Sequence, residues 1–464
     1  MTFPFPTSAL FPSLCHWVRQ RRWFPGEDDT PISLVDVAQW PLPDEDEHAP
    51  SPGTRVFSVV LGAGEALLFV PLVVTGQHPD SETAVIAHIE DQWVVDGPQH
   101  PATIRAWAMR ARSQATMTDE VYSSLCVAAA NARMLTGEQS NSSVLVPTDS
   151  GPRLIKFYRV LQPGIHPELE VTLALGRAGW SHVSAPQAYS LATIPGHADS
   201  ALEVILSPFV TDVDDGFEFF TSLAATDADP REPAYSLGEV IASMHRALAE
   251  EFGAHPSASG AEIARRVKIG IAAAAAEVAE ITPDIIAGLN ARLDKLASFD
   301  ELPQLIRIHG DLHLGQTLHG DSWHVLDFEG EPMRPLDERR RPDFAARDVA
   351  GMLRSFSYAA AQVGVDEHAN LHDPHDTAEI PVVSAVGEQS RLVHERSVEW
   401  ERVAREAFIE GYVAGGHLSE GERLLIEALM VEKAAYETVY EHRFRPGWLR
   451  IPLGALREFA GLER

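Results

Sequence analysis

The sequence predicts an α+β protein of two lobes, strand-rich first and mainly helical second. Three observations carry this reading. Strand-like runs crowd the first half: SLVDVAQW, RVFSVVL, ALLFVPLVV, SSVLV at 142–146, RLIKFY at 153–158 and LEVIL at 202–206. From 212 onward apolar residues recur at helical spacing, as in Leu237, Val240, Ile241, Met244, Leu248 and Phe252. Between the two halves lies the short extended segment LSPFVTD (206–212). Lobes joined in this way make a cleft, and clefts at such junctions bind ligands.

The elements follow in order. An opening helix is expected over Leu14–Trp23, and WPLPDEDEHAPSPG reads as an acidic, proline-rich loop. The run VFSVVLGAGEALLFVPLVVTG (56–76) is long enough to span a bilayer. Glu65 sits at its centre beside Gly62 and Gly64, and Pro71 interrupts its second half, so two strands around a GAGE turn fit better. Helices are expected at Ile104–Gln114, at Tyr235–Phe252 with Ser236 as cap, around Leu289, Leu293 and Leu296, and at Trp400–Tyr412. Glu422–Arg443 is another, opened by a Ser419/Glu422 capping box. GVDEHANLHDPHDTAEIP (364–381) is acidic and aperiodic and reads as a loop.

Charge narrows the function. Of 464 residues, 37 are Lys or Arg and 67 are Asp or Glu, a net charge of −30. Such a chain repels phosphate backbones and anionic lipid, which argues against nucleic acid and membrane as partners. Cys15 and Cys126 are the two cysteines and have no CxxC partner, so neither a disulfide scaffold nor a cysteine zinc site is expected; this suits a reducing cytoplasm. The N-terminus lacks the basic region of a signal peptide.

The chemistry concentrates in IRIHGDLHLGQ (306–316) and WHVLDFEGEP (323–332). Asp311 follows a strand-like Leu305–Ile308, Gln316 lies five residues on, and Asp327 ends a second short strand. Phosphoryl transfer needs this set: one Asp to accept the proton of the attacking hydroxyl, and a second Asp with an amide oxygen to hold Mg²⁺ on nucleotide phosphates. Upstream, the turn Ser140, Asn141, Ser142 and Ser143 is placed to cradle phosphates, and Lys156 to hold them as a point charge. HPELEV (166–171) offers Glu168 and Glu170 to steady that lysine, Glu170 being preferred. His309 suits a loop brace more than a catalyst. The His309/Asp311/His313 set suggests a metal hydrolase only weakly, because Gly310 spoils an HExxH helix.

Beyond these residues, the chain resembles the actinobacterial maltokinases, which have an aminoglycoside-phosphotransferase-like, protein-kinase-like fold. The resemblance rests on RQRRWFPG (19–26), EQSNSSVLV, IKFYRVLQPGIHPELEV (155–171), DGFEFF (215–220), HGDLHLGQ, DFEGEPMRPLDERRRPDFAARDVAGMLRSFSYAA (327–361) and EKAAYETVYEHRFRPGWLRIPL (432–453). It implies a bilobal kinase-like fold with a cap subdomain (1–100), a nucleotide-binding N-lobe (101–211) and a helical C-lobe (212–464). It implies ATP and Mg²⁺, transfer of the γ-phosphate to the anomeric hydroxyl of maltose, and a place in α-glucan synthesis. Asp311 becomes the catalytic base, Gln316 and Asp327 metal ligands, Glu329 an extra ligand, and Asp348 the helix aspartate that pins the catalytic loop. Lys433, Tyr436 and Tyr440 share a helix face that the resemblance makes the sugar wall, with Trp448 near and His313 as a further substrate contact. Some relatives are fused to or associated with trehalose synthase, so a separate synthase is an implied partner.

The chain departs from the family at Phe444-Arg445-Pro446-Gly447-Trp448, where relatives usually read Asn-Arg-Pro-Asp-Trp. Two polar side chains are missing there, implying weaker maltose binding or a shifted acceptor. The alternative is a kinase of another sugar or aminosugar, of glucosamine-kinase or aminoglycoside-phosphotransferase type, for which Glu432, Glu437 and Glu441 are the carboxylates at hand. A dead kinase used as a scaffold is disfavoured, because Lys156, Asp311, Gln316 and Asp327 are all present.

Overall fold

The computed structural model describes residues 9–43, 53–79, 82–135, 141–332, 334–370 and 383–462, with the backbone alone at 363–370 and 383–394. Two compact units emerge. The first combines Met1–Gly176 with Ser184–Thr211; the second combines Arg177–Val183 with Asp212–Arg464.

In the first unit the suspect apolar run is a hairpin. Arg55–Ala63 pairs antiparallel with Ala66–Thr75, closing at Ala63 opposite Ala66. The run is apolar throughout because both faces of the sheet are covered. Leu68, Val70, Leu72 and Val74 pack with Leu10, Leu14, Trp17, Val18 and Trp23. Phe69 and Val73 pack on the opposite side with Trp107, Val144, Ile155 and Phe157. No helix among the described residues is long and apolar enough to cross a membrane. The opening helix runs Leu10–Arg19, four residues earlier than expected at each end. It stops before Phe24-Pro25, where a proline disfavours helix in the residue ahead of it.

The hairpin belongs to a six-stranded sheet in the order Ile32–Trp40, Arg55–Ala63, Ala66–Thr75, Gln92–Asp96, Val85–Ile89. Val160–Leu161 adds to the far end of Ala66–Thr75, with Leu161 opposite Leu67. A second sheet of five strands runs Ala188–Ala192, Ala201–Pro208, Gly151–Tyr158, Asn141–Thr148, Arg133–Met134. The chain passes from one sheet to the other at Arg159. This buried guanidinium donates to both Asp96 oxygens (2.9 and 2.5 Å), sends Nε to Ser142 Oγ (2.8 Å), and lies 5.1 Å from the Trp23 ring centroid. Residues 1–100 and 101–211 therefore share one core.

The second unit is mainly helical. Arg231–Phe252 begins four residues before the expected start, with Pro230 at its cap position. Ser236 lies inside it instead: its hydroxyl donates to Pro233 O and accepts from Trp323 Nε1. The capping box at Ser419 and Glu422 opens Glu420–Phe444 as expected. The helix Ala345–Asn370 extends through 364–370, which read as loop; residues 371–381 lie outside the described set. Aromatic rings fill the centre, with Phe220 4.9 Å from Phe356 and 5.7 Å from Trp323 between centroids.

Helix Arg231–Phe252 meets helix Val383–Val413 at two glycines. A Cβ on Gly238 would come 2.1 Å from Phe408 O, and one on Gly411 would come 1.9 Å from Tyr235 O. Gly411→Ala is therefore expected to force the helices apart and lower stability by about 1–3 kcal/mol, the range for overpacking. A denaturant midpoint equal to wild type would show that the helices do not touch there.

Candidate active site

The second unit gathers Asp311, Gln316 and Asp327 from adjoining turns. Leu305–Ile306 pairs with Ala254–His255 and ends two residues earlier than the sequence suggests. The chain then turns at Gly310, whose φ of +88° suits glycine. Thr317–His319 pairs with Trp323–Val325, which returns the chain to Asp327. Asp327 itself adopts φ +60°, a left-handed conformation that Asp tolerates better than most residues. Gln316 Nε2 donates to Asp327 Oδ2 at 3.2 Å, so the amide and the carboxylate meet.

Asp348 holds the first turn. It is fully buried, and its oxygens accept from the backbone N–H groups of His309 (2.8 Å) and Gly310 (2.9 Å). Burial opposes its ionisation, but the hydrogen bonds from His245 and from the Gly310 N–H outweigh this and keep its pKa below the usual carboxylate value. His309 is a brace. Its Nε2 sits 2.8 Å from Leu326 O and must donate there, and its Nδ1 accepts from the Asp311 N–H at 3.3 Å. One imidazole thus ties the turn of Asp311 to the turn of Asp327. Behind them the helix Ala345–Asn370 presses close: a Cβ on Gly351 would come 2.3 Å from Leu312 O, and Ser355 accepts from the Leu314 N–H at 3.0 Å. Asp311 is half-buried, and among the described residues its carboxylate accepts no hydrogen bond.

Beyond Asp327, Arg339 staples the segment that carries Glu329. Its N–H groups reach Arg334 O and Pro332 O, both at 2.8 Å. Burial lowers the Arg339 pKa while Glu329 and Glu331 raise it, which places both carboxylates beside the guanidinium. Arg339 thereby braces this segment.

Around Asp311 stand several of the expected substrate residues. Burial pushes the His313 pKa down; Lys433 adds to this, and Asp311 and Asp327 oppose it, so His313 lies within reach of all three charges. Tyr436 is pushed up by burial, then by Glu331, Tyr440 and Asp311. Tyr436 and Tyr440 are 59% and 42% exposed, which removes core packing as their role. Tyr440 touches Phe444 (centroids 5.0 Å), and Arg445 lies over both Tyr440 (5.3 Å) and Trp448 (5.6 Å). Trp448 stacks on Tyr358. Glu432, Glu437 and Glu441 are each committed to arginine: Arg266 and Arg347, Arg354, and Arg445 respectively.

The first unit holds the remaining residues. Lys156 lies opposite Ser143 on one side and Ile205 on the other, so these three share a face. Asn141 is two residues from Ser143 and lies on that face as well. Ser142 points the other way, opposite Phe157, and its hydroxyl serves Arg159. Ser140 lies outside the described residues. Glu168 and Glu170 open the helix Pro167–Arg177. Glu168 shares its helix side with buried Thr172 and Leu175, and one of its oxygens is buried; Glu170 shares its side with buried Ala174 and exposed Arg177. Among the described residues no group of three His, Cys, Asp or Glu forms a metal cage of its own.

Residues 131–377 match the family model described as the phosphotransferase enzyme family, and residues 17–99 match the maltokinase N-terminal cap domain. The chain is similar to a glucosamine kinase of Mycolicibacterium smegmatis, with 25% identity over 416 residues, 83% of this chain and 94% of that one. It is similar to a glucosamine kinase of Streptacidiphilus jiangxiensis, with 26% identity over 337 residues, 68% of this chain and 70% of that one. Among solved structures it is similar to a glucosamine kinase in complex with glucosamine, ADP and inorganic phosphate. The TM-score there is 0.61 at 21% identity, covering 96% of this chain and 98% of that one, a likeness of fold.

Proposed function

From the chain's membership of the phosphotransferase enzyme family, we propose that it transfers the γ-phosphate of ATP to a hydroxyl of a small sugar. The observation that carries this is the meeting of Gln316 with Asp327 beside a braced turn that presents an Asp311 carboxylate accepting no hydrogen bond among the described residues. Asp311 orients the acceptor hydroxyl and takes its proton as the phosphoryl group arrives. Lys156 holds the phosphates from the face it shares with Asn141 and Ser143, and backbone N–H groups of 141–143 assist. A glutamate of the helix Pro167–Arg177, Glu170 or its neighbour Glu168, steadies Lys156. The Ser142 hydroxyl is occupied by Arg159 and takes no part in this reading.

Mg²⁺ fits the donor set. An amide and a carboxylate in contact offer hard oxygen atoms, and this ion completes its shell from phosphates and water rather than from a full protein cage. Asp327 and Gln316 would hold it, with Glu329 next along the chain, and once bound it neutralises charge on the phosphoryl oxygens.

The acceptor is the finer question. Motif resemblance points to the anomeric hydroxyl of maltose. Two observations favour an aminosugar of the glucosamine type instead. Two curated relatives that the chain resembles are named glucosamine kinases. The exposed Phe444 and the bare Gly447 also lack the two polar side chains that the resemblance would use to bond a second glucose ring. Because Glu432, Glu437 and Glu441 are paired with arginines, and Glu331 with Arg334, an ammonium group is proposed to meet the Asp311 carboxylate. ADP release measured across glucosamine, maltose, glucose and an aminoglycoside decides the matter. Glucosamine is expected to give the highest kcat/KM; a higher value for maltose restores the disaccharide reading, and no ADP release with any of the four ends the sugar-kinase reading.

A further inference from the structure

The grip of Asp348 on the turn of Asp311 has a further support behind it. His245, on the helix Arg231–Phe252, is 5% exposed and brings Nε2 to within 3.0 Å of Asp348 Oδ2. On its other side, Nδ1 lies 2.9 Å from the hydroxyl of Tyr412, on the helix Val383–Val413. The chain of contacts runs Tyr412, His245, Asp348, then the N–H groups of His309 and Gly310.

Chemistry fixes the direction of each bond. An ionised carboxylate only accepts, so His245 Nε2 must carry the proton that faces Asp348. In a neutral imidazole Nδ1 is then the acceptor, and it needs a donor. The Tyr412 hydroxyl supplies one: burial, then Asp348 and Glu422, raise its pKa above the ordinary phenol value, so it keeps its proton. Without Tyr412 the ring can move its proton to Nδ1, which would turn the Nε2 lone pair toward a buried carboxylate. The close approach at Gly238 and Gly411 brings the two helices near enough for this contact, since Tyr412 directly follows Gly411.

Resting on the phosphoryl-transfer reading above, we infer that Tyr412 and His245 are positioning residues that set the catalytic turn through Asp348. Neither touches the reacting atoms. Tyr412 supplies the donor that His245 Nδ1 needs and so steadies the tautomer that Asp348 requires, His245 orients the Asp348 carboxylate, and Asp348 fixes the backbone from which Asp311 projects.

The test is hydrogen–deuterium exchange of the full chain, read on peptides covering 305–312, in wild type, Tyr412→Phe, His245→Gln and His245→Leu. Losing one such hydrogen bond should speed exchange of these amides about ten-fold in Tyr412→Phe and more in His245→Leu. His245→Gln, which places an amide N–H where Nε2 stood, should stay within about three-fold of wild type by keeping that bond. Steady-state ADP release should follow, with kcat reduced about ten-fold in Tyr412→Phe and both KM values within about two-fold, the signature of a misplaced base rather than lost binding. Wild-type exchange in Tyr412→Phe overturns the inference, and so does equal opening of peptides from the two helices, which would mark lost packing. If His245→Leu does not fold, Tyr412→Phe and His245→Gln still decide. If wild type releases no ADP with any sugar, the function proposed above falls, while the exchange data continue to test the network.

Discussion

Replacing Asp311 by Asn is expected to lower kcat by about 10²–10⁴-fold, the contribution of a positioned general base. Nucleotide affinity and thermal stability should stay close to wild type. The reason lies in the contrast between two aspartates of the same site. The Asp348 carboxylate accepts from two backbone N–H groups and from His245, so it is part of the scaffold. Among the described residues the Asp311 carboxylate accepts no hydrogen bond; the turn is held by the backbone and by the His309 ring. An amide of the same shape therefore breaks no internal bond and removes only the proton acceptor. A surface-like cost of about 0.5 kcal/mol or less is expected. Steady-state kinetics beside a thermal melt separates the roles. Full turnover in Asp311→Asn would remove Asp311 as the base, and a large drop in melting temperature would make it another brace.

Much of this site was legible because its parts are close in sequence. HGDLHLGQ and DFEGEP announce two turns sixteen residues apart at Asp311 and Asp327, and a pair of short strands is the simplest way to bring them together. The hairpin at 55–75 and the capping box at Ser419 were legible for the same reason: glycine with Glu65, and Ser with Glu three residues on, act locally. Ser142 and Ser143 show what a motif hides. As letters they form one polar turn, but in a strand neighbours alternate, so one joins Lys156 and the other faces Arg159. Helix ends were misplaced where tertiary contact outweighs local signals. Ser236 has the chemistry of a cap, yet its hydroxyl serves Trp323, 87 residues away. His245 and Tyr412 were not legible at all. They are 167 residues apart, each sits on an ordinary amphipathic face, and only the folded chain brings them together.

Asp327→Asn is expected to have the second large effect. Losing several kcal/mol of transition-state charge stabilisation corresponds to a fall of about 10³-fold in kcat. The Mg²⁺ concentration giving half-maximal rate should rise at the same time. Asn is the right replacement because the backbone here is left-handed at φ +60°, a conformation that Asn adopts as readily as Asp. The contact with Gln316 Nε2 survives too, since the amide oxygen of Asn accepts where Oδ2 did. The variant thus keeps the turn and its partner and loses one unit of negative charge. Gln316→Ala removes a neutral donor from the same pair and should cost less, so the order Asp327→Asn worse than Gln316→Ala is itself part of the expectation. Two results would overturn the assignment: ADP release that persists after complete chelation, or an Asp327→Asn enzyme with the wild-type Mg²⁺ dependence. In either case Asp327 would be a structural residue of the left-handed turn, and the charge that matters to the phosphates would have to be sought at Glu329, two residues further on, on the segment stapled by Arg339.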